Sequence, residues 1–315
     1  MKIKKLKIGK LNLKNKLILA PMIDITNLPY RLLCRKTGAS LCFTEMIYID
    51  SIIHKNKKTK KLMETNNLDS PIGIQVTGNN LESFRKAIPY LKKYDLVDIN
   101  CGCPSDRIIG NKAGSFLLNN PEKIADIIKL LKSEGLTVTA KIRLGFKENK
   151  VIKIVKIIEK AGADAITIHG RLASQDYDVK ADWNEIKKAK SALHIPVIAN
   201  GDITSGKDAK ELLDFCDGIM IARAAIGDPL VFSRISKYLK TGKEIPSNFK
   251  ENIKLLNEYL QLCRKYKFNN LSRIKYIGTK FIKNVKNAGK QRKELMQSKS
   301  ISEIEDFVGK LLTQI

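Results

Sequence analysis

Thr137-Val138-Thr139-Ala140-Lys141-Ile142-Arg143 and Ala165-Ile166-Thr167-Ile168-His169 both alternate apolar with mostly polar side chains, the period-2 pattern of a β-strand. Between them, Asn149 to Ala161 repeats apolar residues at helical spacing. Strand, helix, strand is the βαβ unit, whose two strands lie parallel. Working outward, the same alternation recurs along most of the chain. The candidate strands are Leu17–Pro21, Leu41–Glu45, Gly73–Thr77, Val97–Cys101, Thr137–Arg143, Ala165–His169, Val197–Asn200 and Gly218–Ala222. Amphipathic stretches lie between them at Leu81–Tyr94, Pro121–Glu134, Asn149–Ala161 and Lys207–Phe215. Eight such repeats predict an α/β fold, a (β/α)8 TIM barrel. A doubly wound open sheet competes, but it rarely needs eight regular units, and no G-x-G-x-x-G follows the first strand.

The pattern changes after Lys240. Thr241 to Pro246 reads as a linker, and Asn252 to Ile315 keeps helical periodicity without strand signals. The expected organisation is a catalytic barrel over residues 1–240 and a small all-helical domain of three or four helices over 247–315.

Charge narrows the function. Among 315 residues, 58 Lys and Arg face 32 Asp and Glu, a net +26 that points to a polyanionic partner. Abundant Lys, Asn and Ile also follow from an AT-rich genome, so distribution decides more than composition. From Arg264 to Lys293 there are eleven basic residues and no acid, which genome bias does not produce. A second cluster, Lys55, Lys57, Lys58, Lys60 and Lys61, follows the second strand, where a solvated helix face is an equal reading. An apolar fraction of 43% supplies a core, and no apolar run approaches the ~20 residues that span a bilayer. The first sixteen residues lack the apolar stretch of a signal peptide, so a cytoplasmic location with six reduced cysteines is expected.

Barrel enzymes work at the carboxyl ends of their strands, because the stems form a packed core. Here those ends are unusually polar. The fourth strand runs through Asp98 and Asn100 into Cys101-Gly102-Cys103-Pro104, and the fifth ends in Lys141-Ile142-Arg143. The sixth ends in His169-Gly170-Arg171 and the seventh in Asn200-Gly201-Asp202. The loops after strands seven and eight, Asn200–Ile203 and Ile221–Gly227, combine small residues with an arginine, Arg223. Barrels often hold phosphate there, so the expected ligand is phosphorylated, such as a flavin mononucleotide or a sugar phosphate. The Cys101-Gly102-Cys103 pair lacks the further ligands of a metal site, and no metal is expected. Loop cysteines are more often inert than catalytic, but Cys103 sits in a Gly-Cys-Pro turn on the catalytic rim. An ordinary thiol, mostly protonated at neutral pH, serves as an acid as well as a nucleophile.

These residues carry a resemblance. The chain resembles the bacterial tRNA-dihydrouridine synthases, and looks closest to their B type. It does so through Ala20-Pro21-Met22, Thr26, Tyr30-Arg31, Thr44-Glu45-Met46, Asp98 to Pro104 and Ala113-Gly114-Ser115. The match continues through Lys141-Ile142-Arg143, Thr167 to Arg171, Ala181-Asp182-Trp183, Ile198 to Ile203 and Met220 to Ala225. It spans almost the whole barrel in order, whereas the tail is similar mainly in length and basic character.

The resemblance implies an FMN-dependent oxidoreductase that reduces the 5,6 double bond of particular uridines in tRNA, with NADPH as electron source and a lean toward the D-loop. It implies that Pro21 and Met22 line the flavin, that Gln75 and Lys141 contact its ring, and that His169 lies near its phosphate or ring. Asn200, Gly201, Asp202, Ala222 and Arg223 are expected at the phosphate. Cys103 is expected as the catalytic acid, with Asn100 orienting the uracil and Arg143 and Arg171 facing the substrate. Lys275 is expected at the tRNA, and no protein partner is implied. Chemistry agrees, since reducing uracil takes a hydride at one ring carbon and a proton at its neighbour. A base in folded tRNA reaches a barrel mouth only when extruded, so basic side chains must grip the backbone. Three positions depart from the family pattern: Asn27 for a common Asp, Ala222 for a usual Gly, and Tyr276 for a basic residue or His. The alternative is an FMN barrel acting on a free pyrimidine, like a dihydroorotate dehydrogenase. It leaves the basic tail unused, so deleting the tail should spare its activity. A non-catalytic RNA-binding barrel is disfavoured by the retained Cys103, Lys141 and His169, and a sugar-phosphate isomerase has no use for so basic a surface.

Overall fold

The computed structural model describes residues 5–54, 56–283 and 285–314. An antiparallel hairpin, β1 (Leu6–Ile8) and β2 (Leu11–Leu13), precedes the barrel strands. These are β3 (Leu17–Leu19), β4 (Cys42–Phe43), β5 (Ile47–Tyr48), β6 (Ile72–Thr77), β7 (Leu96–Cys101), β8 (Val138–Arg143), β9 (Ala165–His169), β10 (Val197–Asn200) and β11 (Gly218–Ile221). They pair in parallel in the order β3-β11-β10-β9-β8-β7-β6-β4, with β5 extending the pairing along β6. A bridge between Ile18 and Leu41 closes the ring, with Leu19 N–H donating to the Leu41 carbonyl at 2.9 Å. The barrel is thus the expected one. The sequence reading missed β5 and the hairpin, because two- and three-residue strands are too short to show a period.

The helices of the barrel are α1 (Leu28–Lys36), α2 (Ile49–Ile53), α3 (Lys57–Leu62), α4 (Leu81–Leu91), α5 (Asp106–Gly110), α6 (Pro121–Ser133), α7 (Val151–Lys160), α8 (Trp183–Ser191), α9 (Gly206–Leu213) and α10 (Val231–Thr241). Side-chain caps from Asn27, Asn56, Asn80, Asn120, Asp182 and Ser205 start six of them. Gly242, in the left-handed conformation, stops α10. The tail follows as α11 (Phe249–Lys265), α12 (Leu271–Phe281), α13 (Ala288–Gln297) and α14 (Ile301–Thr313).

Alternation along the strands sorts side chains into two cores. Val97, Ile99 and Cys101 of β7, and Val138, Ala140 and Ile142 of β8, face the helices. Leu96, Ile18, Leu41, Phe43, Ala165, Ile198 and Met220 fill the barrel interior, plugged from below by Leu6, Ile8 and Leu13 of the hairpin. Above that apolar plug the inward positions turn polar: Gln75, Asp98, Thr139 and Thr167, then Asn100, Lys141, His169 and Asn200. Five consecutive strands, β6 to β10, spend interior positions on polar groups at this end, which a purely structural core would not need. No helix among the described residues is long and apolar enough to cross a membrane.

Candidate functional site

A cavity of about 1160 Å³ opens at the carboxyl ends of the strands. Its wall on one side is Ala20, Pro21 and Met22, continuous with β3, and its floor carries Gln75, Asn100 and Lys141. Cys103, Arg143, His169, Arg171, Asn200, Gly201, Asp202, Ala222 and Arg223 complete the residues singled out in the sequence. Lys275 does not line it. Its ammonium donates to the Met296 and Ser298 carbonyls at 2.9 and 3.1 Å, closing the end of α13. The neighbouring Tyr276 lines the cavity instead. Helix phase explains this: successive residues on α12 point about 100° apart, and no sequence signal told which of the two faced the barrel.

The floor is one continuous hydrogen-bond chain. Thr139 donates to Asp98 at 2.6 Å, and the Gln75 amide nitrogen donates to the other Asp98 oxygen at 2.7 Å. Asn100 donates to the Gln75 oxygen at 2.9 Å. The Asn100 oxygen then accepts the N–H groups of Gly102 and Cys103 at 3.1 and 2.9 Å. The chain has one polarity, running from backbone donors to a carboxylate that can only accept. It ties the turn bearing Cys103 to the strand stems. Burial pushes the Asp98 carboxyl up to about 6 despite the bonds from Gln75 and Thr139 and the nearby Lys141. Burial lowers Lys141 to about 8, against the pull of Asp98.

The two cysteines separate cleanly. Cys101 is fully buried among helix-facing core residues, and burial raises its thiol well above the ordinary value. Cys103 is partly exposed on the cavity wall. Strand parity sends Cys101 to the helix side of β7, and the turn after the strand end, held by Asn100, carries Cys103 to the cavity.

The opposite rim is cationic. Arg171 is almost fully buried and donates to Asp202 through Nη2 at 2.7 and 2.9 Å, while its Nη1 lies 3.0 Å from the His169 Nε2. Arg223 reaches Asp202 at 2.7 Å and lies over the Tyr177 ring at 4.3 Å. Tyr177, which the sequence reading missed, stacks on His169 at 6.1 Å from a loop whose carbonyls are held by Arg143 and Arg171. Burial, then Lys141, Arg143, Arg171 and Arg223, drive His169 down to about 2, so it is neutral. A neutral imidazole accepting from Arg171 at Nε2 carries its proton on Nδ1. Burial opposes ionisation of Asp202, but the Ala181 N–H and the two arginines hold its carboxyl below the usual range. Gly201 sits at φ +115°, and a Cβ there would come within 2.8 Å of Ala181 and His169. Cations outnumber carboxylates around the cavity, and the field that suppresses His169 attracts an anion such as a phosphate.

Comparison with known proteins shows the family of the chain. A family model described as dihydrouridine synthase matches residues 18–315. The chain belongs to the dihydrouridine synthase family. It is similar to a probable tRNA-dihydrouridine synthase of Aquifex aeolicus, 36% identical over 80% of this chain and 81% of that protein. It is 38% identical to tRNA-dihydrouridine synthase B of Pasteurella multocida (72% of this chain, 70% of that protein) and 37% identical to tRNA-dihydrouridine synthase B of Vibrio vulnificus (79% and 80%). Among solved structures, the barrel resembles histamine dehydrogenase from Rhizobium sp. 4-9, with a TM-score of 0.56 at 14% identity over 82% of this chain and 50% of that one, a likeness of fold alone. As a dihydrouridine synthase the chain is a flavin-dependent oxidoreductase of tRNA processing.

The basic surface is smaller in space than along the chain. Arg264 is paired with Glu305 at 2.6 and 2.7 Å, Arg273 with Glu45 and Asp24, and Lys61 with Glu64 at 2.7 Å. Acids absent from the 264–293 window are supplied by distant segments. Lys55 of the second cluster lies outside the described residues.

Proposed function

We propose that this synthase reduces the C5–C6 bond of uridines in the D-loop region of tRNA, with FMN as its flavin, NADPH as the reductant and Cys103 as the proton donor. The observation that carries this reading is the Asn100–Cys103 turn, which holds a partly exposed thiol on the wall of the same cavity whose rim is cationic. Bound FMN supplies the hydride for the reduction. The donor set suits it: Arg223, with Asn200, Gly201, Asp202 and Ala222 around it, would hold a phosphate, while Lys141 and Gln75 would meet the ring and Pro21 and Met22 would cover it. His169, kept neutral, adds no second charge to the phosphate side.

The chain's own residues do the rest. Asn100, with its oxygen committed to the Cys103 turn, has one amide N–H left for a carbonyl of the uracil. Cys103 places its proton beside that carbonyl, where the neighbouring ring carbon is protonated. Arg143 and Arg171 hold the Tyr177 loop at the mouth. Exposed Lys and Arg of the tail, including Lys290, Arg292 and Lys293, would grip phosphates.

The test is the absorption spectrum of the purified protein, followed by incubation with NADPH and unmodified tRNA and mass detection of dihydrouridine. Flavin bands with new dihydrouridine are expected. Bands without tRNA product, but with reduction of a free pyrimidine, would overturn the tRNA reading.

A further inference from the structure

The tail is built into the walls of the cavity as well as standing beside it. Arg273, inside the first turns of α12, donates to the buried Glu45 carboxylate and lies 3.2 Å from the Asp24 carboxylate. The other Glu45 oxygen accepts the Asp24 backbone N–H at 2.8 Å. Asp24 adopts φ +64°, a conformation uncommon for a residue with a side chain, in the loop that carries Pro21, Met22, Ile23 and Ile25 to the cavity. At the far end of that loop, Asn27 donates to the Tyr259 hydroxyl of α11 at 3.1 Å.

The second wall leans on the tail too. Tyr30 packs edge-on against Tyr259 and Phe281, with centroids 5.9 and 6.3 Å away. Its hydroxyl donates to the Ala225 carbonyl at 2.5 Å and accepts the Gly227 N–H at 2.9 Å, holding the loop that follows β11. Gly227, at φ +69°, packs so closely that a Cβ would lie 2.0 Å from the Lys280 carbonyl oxygen. The loops flanking β3 and β11 therefore take their shape from contacts that α11 and α12 complete.

We propose that Arg273 is a positioning residue for the flavin wall, and that cofactor retention depends on the helical tail through the Arg273–Glu45–Asp24 clamp. The inference rests on the FMN reading above. It withdraws Arg273 from the RNA-gripping set, since its side chain is 16% exposed and committed to two carboxylates. It also means that deleting the tail removes the braces of two cavity walls, so such a deletion does not separate tRNA from small-substrate chemistry.

The experiment measures FMN affinity of the apoprotein by flavin fluorescence quenching, and tRNA affinity by anisotropy, across three variants. Arg273→Met leaves Glu45 buried without its cation, so the paired variant Arg273→Met with Glu45→Gln is made alongside it to remove the stranded charge. Both should weaken FMN binding roughly tenfold or more, the order expected for a lost buried charged contact, with tRNA affinity within about twofold. The control, Lys290, Arg292 and Lys293 changed to Ala together, should weaken tRNA and leave FMN unchanged. Wild-type FMN affinity in the folded paired variant would overturn the proposal, as would weakened tRNA binding with FMN intact. A wild-type chain that fails to take up FMN would sink the cofactor reading instead.

Discussion

The Asn100 side-chain oxygen accepts the backbone N–H of Cys103 at 2.9 Å, so the residue at the strand end shapes the turn that presents the thiol. Because Asn100 is itself held by Gln75, and Gln75 by Asp98, the position of Cys103 is set through three side chains that end on a buried carboxylate. Cys103→Ala should therefore keep fold, flavin and tRNA binding while slowing uridine reduction about 10²-fold or more, the usual worth of a positioned acid. Single-turnover mixing of reduced enzyme with tRNA reads this directly, and an unchanged rate would remove Cys103 from its role.

Cys101→Ala is the matched contrast. Cys101 packs among Val97, Ile99 and Ile142 on the helix side, away from the cavity. The change should cost about 1 kcal/mol of stability through a small void and leave turnover within about twofold. A large catalytic defect with normal stability would show that the two thiols had been assigned in the wrong order.

Lys141 makes flavin binding pH-dependent. Its pKa, lowered to about 8 by burial, means that the free protein loses this cation as pH rises through 8. An anionic flavin should then bind more weakly at pH 9 than at pH 7, and Lys141→Met should bind weakly at both. Equal slopes in the two proteins would place the titration elsewhere.

His169 predicts the acid limb of stability. Its folded pKa of about 2 lies below the ordinary 6.5, so the unfolded chain takes up a proton that the folded chain refuses. Stability is full above pH 6.5 and falls as pH drops below it, with a slope contribution of up to about 1.4 kcal/mol per pH unit. Urea midpoints at pH 5 and 7 should differ less for His169→Gln than for wild type.

Gly201→Ala tests the phosphate rim. A Cβ at φ +115°, pressed to 2.8 Å against both Ala181 and His169, should destabilise the chain by about 1–3 kcal/mol and displace the Asp202 turn. Weakened FMN binding in the apoprotein is the expected readout, and unaltered binding would show that the rim tolerates the shift.

Much of this was legible along the chain, because a barrel writes itself as alternation. Alternation located the strands, and the polar residues at their ends, Asn100, Lys141, His169 and Asn200, line one cavity. Parity says nothing beyond the strands. Tyr177 lies in a loop with no period, and the Lys275–Tyr276 choice hangs on the phase at which α12 docks. The acid-free window from Arg264 to Lys293 was a true feature of the sequence but an incomplete one, since Glu45, Asp24 and Glu305 reach it only through folding.

The sequence by itself determined the barrel, the polar strand ends, the Gly-Cys-Pro turn and the excess of positive charge, because each is set by local spacing or by counting. Only the tertiary structure decided which cations are free and that the tail braces the cavity walls. Those depend on pairings between separate segments, some more than two hundred positions apart, such as Asn27 with Tyr259 and Glu45 with Arg273, which no local pattern encodes.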